Sequence, residues 1–215
     1  MTLTQLETAA RNKYNSVGDN FYSSAEIYDL VYEASLILAT DALMIEKKDA
    51  STSTVAGTQA YNYPTRCIAF KRIEYDGNKL MPIDQRDDDQ LTFNNATTQE
   101  QGTPQYYFIW NGQIYLRPIP VAAATLTFYY FAEPKQVEAG DTLEIPTMFH
   151  LDIVNFVVSE LAAKDLNADI AAFYNGKWEK GVQKAIQWKR RRTISDSFKA
   201  VKDEEAIAYN ILGTT

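Results

Sequence analysis

Apolar side chains recur at Leu3, Leu6, Ala10 and Tyr14, the spacing of one helix face, with Thr2 ahead of them as an N-cap. This predicts a helix over residues 2–15. Ser23 followed by Glu26 fits a capping box and starts a second helix. Ile27, Leu30, Val31, Ala34, Leu38, Ala42 and Ile45 then make one broad apolar face, which carries the helix to about residue 47.

The period changes near residue 50. ASTSTVAGTQAYNYP mixes β-branched and small polar residues, ends in Pro64 and reads as strand and loop. In CIAFKRIEYDGNKLMPI, Ile68, Phe70, Arg72 and Glu74 alternate with Ala69, Lys71, Ile73 and Tyr75, and Asp76-Gly77-Asn78 turns the chain. QRDDDQLTFNNATTQEQ is polar and reads as a loop or a short helical excursion. In GTPQYYFIWNGQIYLRPIP, Asn111-Gly112 sits between two runs of β-branched and aromatic residues and predicts a type I′ hairpin. Folding about that turn pairs Trp110 with Gln113, Phe108 with Tyr115 and Tyr106 with Arg117 on one face. It pairs Ile109 with Ile114 and Tyr107 with Leu116 on the other. A half-buried hairpin has one polar face, and here neither face is polar. TLTFYYFAEP adds a strand, with Leu126, Phe128 and Tyr130 on one side and Thr127, Tyr129 and Phe131 on the other. The expectation is an antiparallel sheet or small sandwich of about five or six strands.

Helical spacing returns after Ile145-Pro146. Phe149, Ile153, Phe156, Val157 and Leu161 form a stripe that Leu151, Val154 and Val158 widen, so this helix is expected to be buried on most sides. DLNAD interrupts it. A last long helix starts near Ala168, with Ile170, Phe173, Tyr174, Trp178, Val182, Ala185 and Ile186 on one face. Gly176 and Gly181 each weaken it by about 1 kcal/mol relative to Ala. Lys189, Arg190, Arg191 and Arg192 close it where the helix dipole favours positive charge. The rest is polar, with spaced anchors at Ile194, Phe198, Ile207, Tyr209, Ile211 and Leu212. Helices, then strands, then helices make an α+β chain. The expected segments are 1–48 helical, 49–144 a β-rich insertion, 145–192 helical and 193–215 an extended tail.

Composition narrows the function. A length of 215 residues holds one domain or two small ones. The 14 tyrosines suit a surface covered by a partner, since the ring is apolar and the hydroxyl still hydrogen-bonds. A formal net charge of −7 disfavours broad nucleic-acid binding, which needs cationic phosphate contacts. No apolar run reaches the roughly 18 residues of a membrane span, and MTLTQLETAARNKY lacks the basic start and apolar stretch of a signal peptide. Cys67 is the only cysteine, so no intrachain disulfide forms and a reducing compartment is expected. His150 is the only histidine, without the marked partners that a triad or a metal cluster requires, and reads as structural. Cys67 reads as a small core residue. Asp87-Asp88-Asp89 reads as a solvated face rather than a cation site. No phosphate-loop glycine pattern occurs. Lys189–Arg192 reads as a dipole partner or a contact to an acidic protein in preference to nucleic acid. The expectation is no enzyme, no cofactor and no metal.

The order of features resembles the head-to-tail connector proteins of tailed bacteriophages, also called adaptor or head-completion proteins. TLTQLETAARNKY followed by FYSSAEIYDLVYEASLILA is similar to that family's opening helix pair. YPTRCIAFKRIEYDGNKLMPID resembles its segment of proline, strand, Asp-Gly turn and Leu-x-Pro. GTPQYYFIWNGQIYLRPIP resembles its Gly-x-Pro-x-Tyr-Tyr hairpin ending in Leu-x-Pro-x-Pro. TLTFYYFAEP and IPTMFHLDIVNFVVSELAAKDL resemble the strand and helix that follow. The resemblance spans about residues 2–190, and the chain beyond 193 has no counterpart in it.

The resemblance implies a bundle of the N- and C-terminal helices with a central antiparallel sheet or small sandwich. It implies a non-enzymatic virion protein made in the host bacterial cytoplasm and placed in the neck. Its partners would be the portal protein, neighbouring copies in a dodecameric ring, and a tail or tail-nozzle protein. DNA would pass through the channel during genome ejection without specific binding, and no membrane would be involved. Tyr106, Phe108, Trp110 and Tyr115 are then candidate interface residues, unless both hairpin faces serve an ordinary two-layer core. Lys189, Arg190, Arg191 and Arg192 would dock on an acidic patch, and Phe198, Tyr209, Ile211 and Leu212 would anchor the tail as a strap on the portal or an adjacent copy. The alternative is a ligand- or carbohydrate-binding β-module with helical flanks, in which Tyr106, Trp110 and Tyr115 stack on the ligand.

Overall fold

A computed structural model of the chain describes residues 1–18, 21–86 and 100–192. They form two units. One comprises Met1–Met44 and the chain from Pro134 onward, the other Ile45–Glu133.

The first unit holds α1 (Leu3–Tyr14), α2 (Ser24–Ala42), α3 (His150–Lys164) and α4 (Ala168–Arg192). Its starts follow local chemistry. The Thr2 hydroxyl accepts from the Gln5 N–H at 3.3 Å and the Gln5 side chain accepts from the Thr2 N–H at 2.9 Å, a complete capping box. Ser23 accepts from the Glu26 N–H at 3.1 Å. Helix α3 is the centre of the bundle and touches the other three helices. Phe149, Ile153, Val154, Val157, Val158 and Leu161 are all buried there. Residues 134–144 belong to this unit because they return to α1: Leu3 donates to the Asp141 carbonyl at 3.0 Å and Thr4 to that of Ala139 at 3.1 Å.

Helix α2 stops at Ala42, short of the expected 47, because Leu43 turns left-handed at φ 46°. Ile45 is buried but not helical, and the first strand starts at Glu46. Leu151 does not widen the α3 stripe; it is 61% exposed on the solvent side of the first turn. On α4 the apolar face is buried only from Trp178, which meets Phe156 at 5.2 Å between ring centroids. Phe173, expected in the core, is 59% exposed, and the Lys177 ammonium lies 4.1 Å from its ring centre.

The second unit carries ten strands among the described residues, more than the five or six expected. The extra ones are two- and three-residue pieces too short to show a period. β1 (Glu46–Ser53), β10 (Thr125–Ala132), β3 (Cys67–Tyr75) and β4 (Asn78–Lys79) form one antiparallel sheet in the order β1-β10-β3-β4. β2 (Ala60–Asn62), β8 (Gln113–Arg117), β7 (Tyr106–Trp110) and β5 (Met81–Pro82) form another in the order β2-β8-β7-β5, and β6 (Gln101–Gly102) pairs with β9 (Ile119–Pro120). The β5–β7 and β6–β9 pairings are parallel.

A register shift on β3 changes the face assignment read from alternation. Tyr129 faces Arg72 and Tyr130 faces Phe70, so Lys71 is the extra residue of a bulge. The bulge brings Phe70 and Ile73 to the same side. Ile73 is fully buried, and Phe70 lies 5.9 Å from Phe128 and 4.9 Å from Tyr63. On β10, Leu126, Phe128 and Tyr130 are buried as the alternation predicts.

Candidate partner-binding surface

The hairpin of β7 and β8 has the predicted register throughout, from Trp110 against Gln113 to Tyr106 against Arg117. Asn111 at φ 48° and Gly112 at φ 72° supply the two positive φ angles that a type I′ turn requires. One face is core: Tyr107, Ile114 and Leu116 are buried. The other face largely covers itself. Phe108 stacks on Tyr115 with centroids 4.9 Å apart and planes at 12°, and the Arg117 guanidinium lies 6.0 Å from the Phe108 ring. Tyr106 and Tyr115 are half-buried and Phe108 is buried. Trp110 remains 55% exposed and Ile109 46%.

These two residues do not stand alone. Strand β5 lies beside β7, with Met81 donating to the Gln105 carbonyl and Ile83 to that of Tyr107, each at 2.9 Å. Met81 is 60% exposed. Where the chain leaves β7 after Pro82 a notch of about 400 Å³ opens between residues 82–85 and 107–110. Met81, the register partner of Tyr106, and Trp110 therefore share the exposed face of the sheet, while Ile109 lies on the opposite face. Ile109 and Met81 escaped the sequence reading as surface residues because the parallel β5–β7 pairing joins segments far apart in the chain.

In the helical unit, α4 ends in Lys189–Arg192, and Arg190, Arg191 and Arg192 are exposed. The turn is anchored by Trp188, whose ring meets Phe149 edge-on at 5.6 Å and carries the Arg192 guanidinium at 4.6 Å. Four cations in the last turn complement the helix dipole. Phe198, Tyr209, Ile211 and Leu212 lie outside the described residues, as do Asp87-Asp88-Asp89.

The groups that could do chemistry are occupied structurally. His150 is 2% exposed; its Nε2–H donates to the Ile145 carbonyl and its Nδ1 accepts from the Met1 amine, both at 2.9 Å. That arrangement selects the neutral ring, and burial pushes its pKa below the ordinary imidazole value. Burial pushes the Cys67 thiol up to about 11, so at neutral pH it is not a thiolate nucleophile. Among the described residues no three His, Cys, Asp or Glu side chains cluster as a metal site. No helix among them is long and apolar enough to cross a membrane.

Over residues 1–200 the chain matches the family model described as SU10 adaptor protein. The chain belongs to that family. The SU10 adaptors are phage head-tail adaptors, and the assignment agrees with the connector resemblance carried by the helix pair, the Asp-Gly segment and the Asn-Gly hairpin. No curated protein matches the chain. The described residues of both units lie within the match, whereas Tyr209, Ile211 and Leu212 lie beyond it.

Proposed function

We propose that the protein is a ring subunit of the virion neck, seated beneath the portal, where it extends the DNA channel and offers the platform for tail attachment. The match to an adaptor family over residues 1–200 carries this reading. The exposed Met81 and Trp110, on one face of the sheet, suit a surface that is covered on assembly, because Trp is a frequent interface anchor. A net charge of −7 suits a channel wall along which DNA slides without sticking. The role requires no catalysis, and the partners are the portal, neighbouring copies and a tail protein. In the ligand-binding alternative Tyr115 would offer its ring to a ligand, but one face of that ring is already stacked on Phe108.

Electron microscopy of the protein mixed with portal-bearing capsids tests the proposal. A ring at the vertex, twelve-fold like its portal, is expected, with a monomer or weak association for the protein alone. A stable monomer that never joins portal-bearing particles would overturn it.

A further inference from the structure

Helix α4 is basic in an acidic chain. It carries seven cations against two carboxylates, although the whole chain stands at −7. Phe173, Lys177, Lys180 and Lys184 follow one another at steps of four, three and four, so they share one face of the helix. Phe173 is 59% exposed, and the three lysines are exposed. Lys184 is held by Asp152 of α3 at 3.9 Å. The residues that α4 buries in its own bundle are Trp178, Gly181, Val182 and Ala185.

Helix α2 has the opposite pattern. Its four charged residues, Glu26, Asp29, Glu33 and Asp41, are all carboxylates. Asp29 and Glu33 are exposed, and Ile37, half-buried, follows at the same step of four. Among the described residues no ion pair joins Asp29 or Glu33 to a cation, or Lys177 or Lys180 to a carboxylate. Both rows belong to the helical unit, and they do not pair with each other.

The two rows match in one direction only. At 1.5 Å per residue, Asp29, Glu33 and Ile37 span about 12 Å of helix axis, and Lys180, Lys177 and Phe173 about 10 Å. Laid antiparallel, Asp29 meets Lys180, Glu33 meets Lys177 and Ile37 meets Phe173. Laid parallel, Asp29 would meet the Phe173 ring and Lys180 would meet Ile37, so both ends would set a charge against an apolar side chain.

We propose that this face of α4 docks antiparallel on α2 of a second copy. The inference rests on the ring reading. A contact between different surfaces of identical chains is head-to-tail, the kind that closes a ring. The opposite charges set direction and register, and the meeting of Phe173 with Ile37 takes apolar surface out of water.

Charge exchange tests it. One variant carries Asp29→Lys and Glu33→Lys on α2, and the other carries Lys177→Glu and Lys180→Glu on α4. Alone, each variant sets like charges against each other at the contact. Mixed, the two present opposite charges at both of their surfaces. In sedimentation at low ionic strength the equimolar mixture should associate at least about tenfold more tightly than either variant alone, and about 0.5 M salt should remove the difference. On portal-bearing capsids neither variant alone should form a ring, and the mixture should restore one. A mixture that associates no better than its components overturns the proposal. So do rings formed by the α2 variant alone but not by the α4 variant, which would set the α4 face on the portal or on DNA. Should either reversed chain fail to melt cooperatively, the neutral sets Asp29→Asn with Glu33→Gln and Lys177→Gln with Lys180→Gln decide. Each should weaken the salt-sensitive self-association of the wild type, and unchanged association overturns the proposal. Association of the mixture in solution with no ring at the vertex, wild type included, would retain the contact and remove the ring reading instead.

Discussion

Gly176 and Gly181 share α4 and should respond oppositely to alanine. A Cβ on Gly176 meets nothing within 4 Å, so Gly176→Ala should stabilise by up to about 1 kcal/mol through helix propensity. A Cβ on Gly181 would stand 2.6 Å from Cγ of Asp152, a half-buried carboxylate on α3. Overpacking of that kind costs about 1–3 kcal/mol, which outweighs the propensity gain, so Gly181→Ala should destabilise. Urea denaturation of the two variants checks both signs. Trp178→Ala should cost about 3–5 kcal/mol, while Phe173→Ala on the same predicted face should cost under about 0.5 kcal/mol.

His150 makes a prediction about pH. Burial lowers its pKa in the folded protein, so below about pH 6.5 the unfolded chain binds the proton more readily. Stability should be level above that pH, fall as pH drops below it, and level off again below the native-state pKa. His150→Gln should remove this component, which is read as the difference between wild-type and variant denaturation curves at pH 8 and pH 5. Because the ring is used in two structural hydrogen bonds, folded His150→Gln protein should still assemble into infectious particles. Loss of infectivity from fully assembled particles would show a role beyond structure.

At the scale of elements, the hairpin separates stability from assembly. Ile114 and Leu116 are fully buried, and truncating either should lower the melting temperature. Trp110 at the tip is 55% exposed, so Trp110→Ala should leave melting nearly unchanged yet weaken assembly or tail attachment by about 2 kcal/mol or more. Thermal melting of the monomer and particle assembly, measured on the same variant, decide this. A collapse in melting temperature would place Trp110 in the core.

At the scale of the whole molecule, both units have their own buried cores within residues 1–192. Deleting residues 194–215 should therefore leave a folded, soluble protein that no longer holds its place on the portal. Binding of the full chain should also weaken with added salt if Lys189–Arg192 dock on an acidic patch, because exposed charges are screened over about 10 Å at 0.1 M. Affinity of the truncated chain equal to that of the full chain would mean that the helices or sheets make the contact.

The sequence by itself determined what depends on near neighbours in the chain. The Thr2 capping box, the Ser23 start, the Asn111-Gly112 turn and the hairpin register were all legible, since each is set within a few residues. The apolar stripe of α3 was legible because a helix at the centre of a bundle is apolar nearly all round. Only the tertiary structure decided the left-handed turn at Leu43, the Lys71 bulge and the exposure of Leu151 and Phe173. Each of these depends on which neighbour arrives, and period alone does not say where a partner ends.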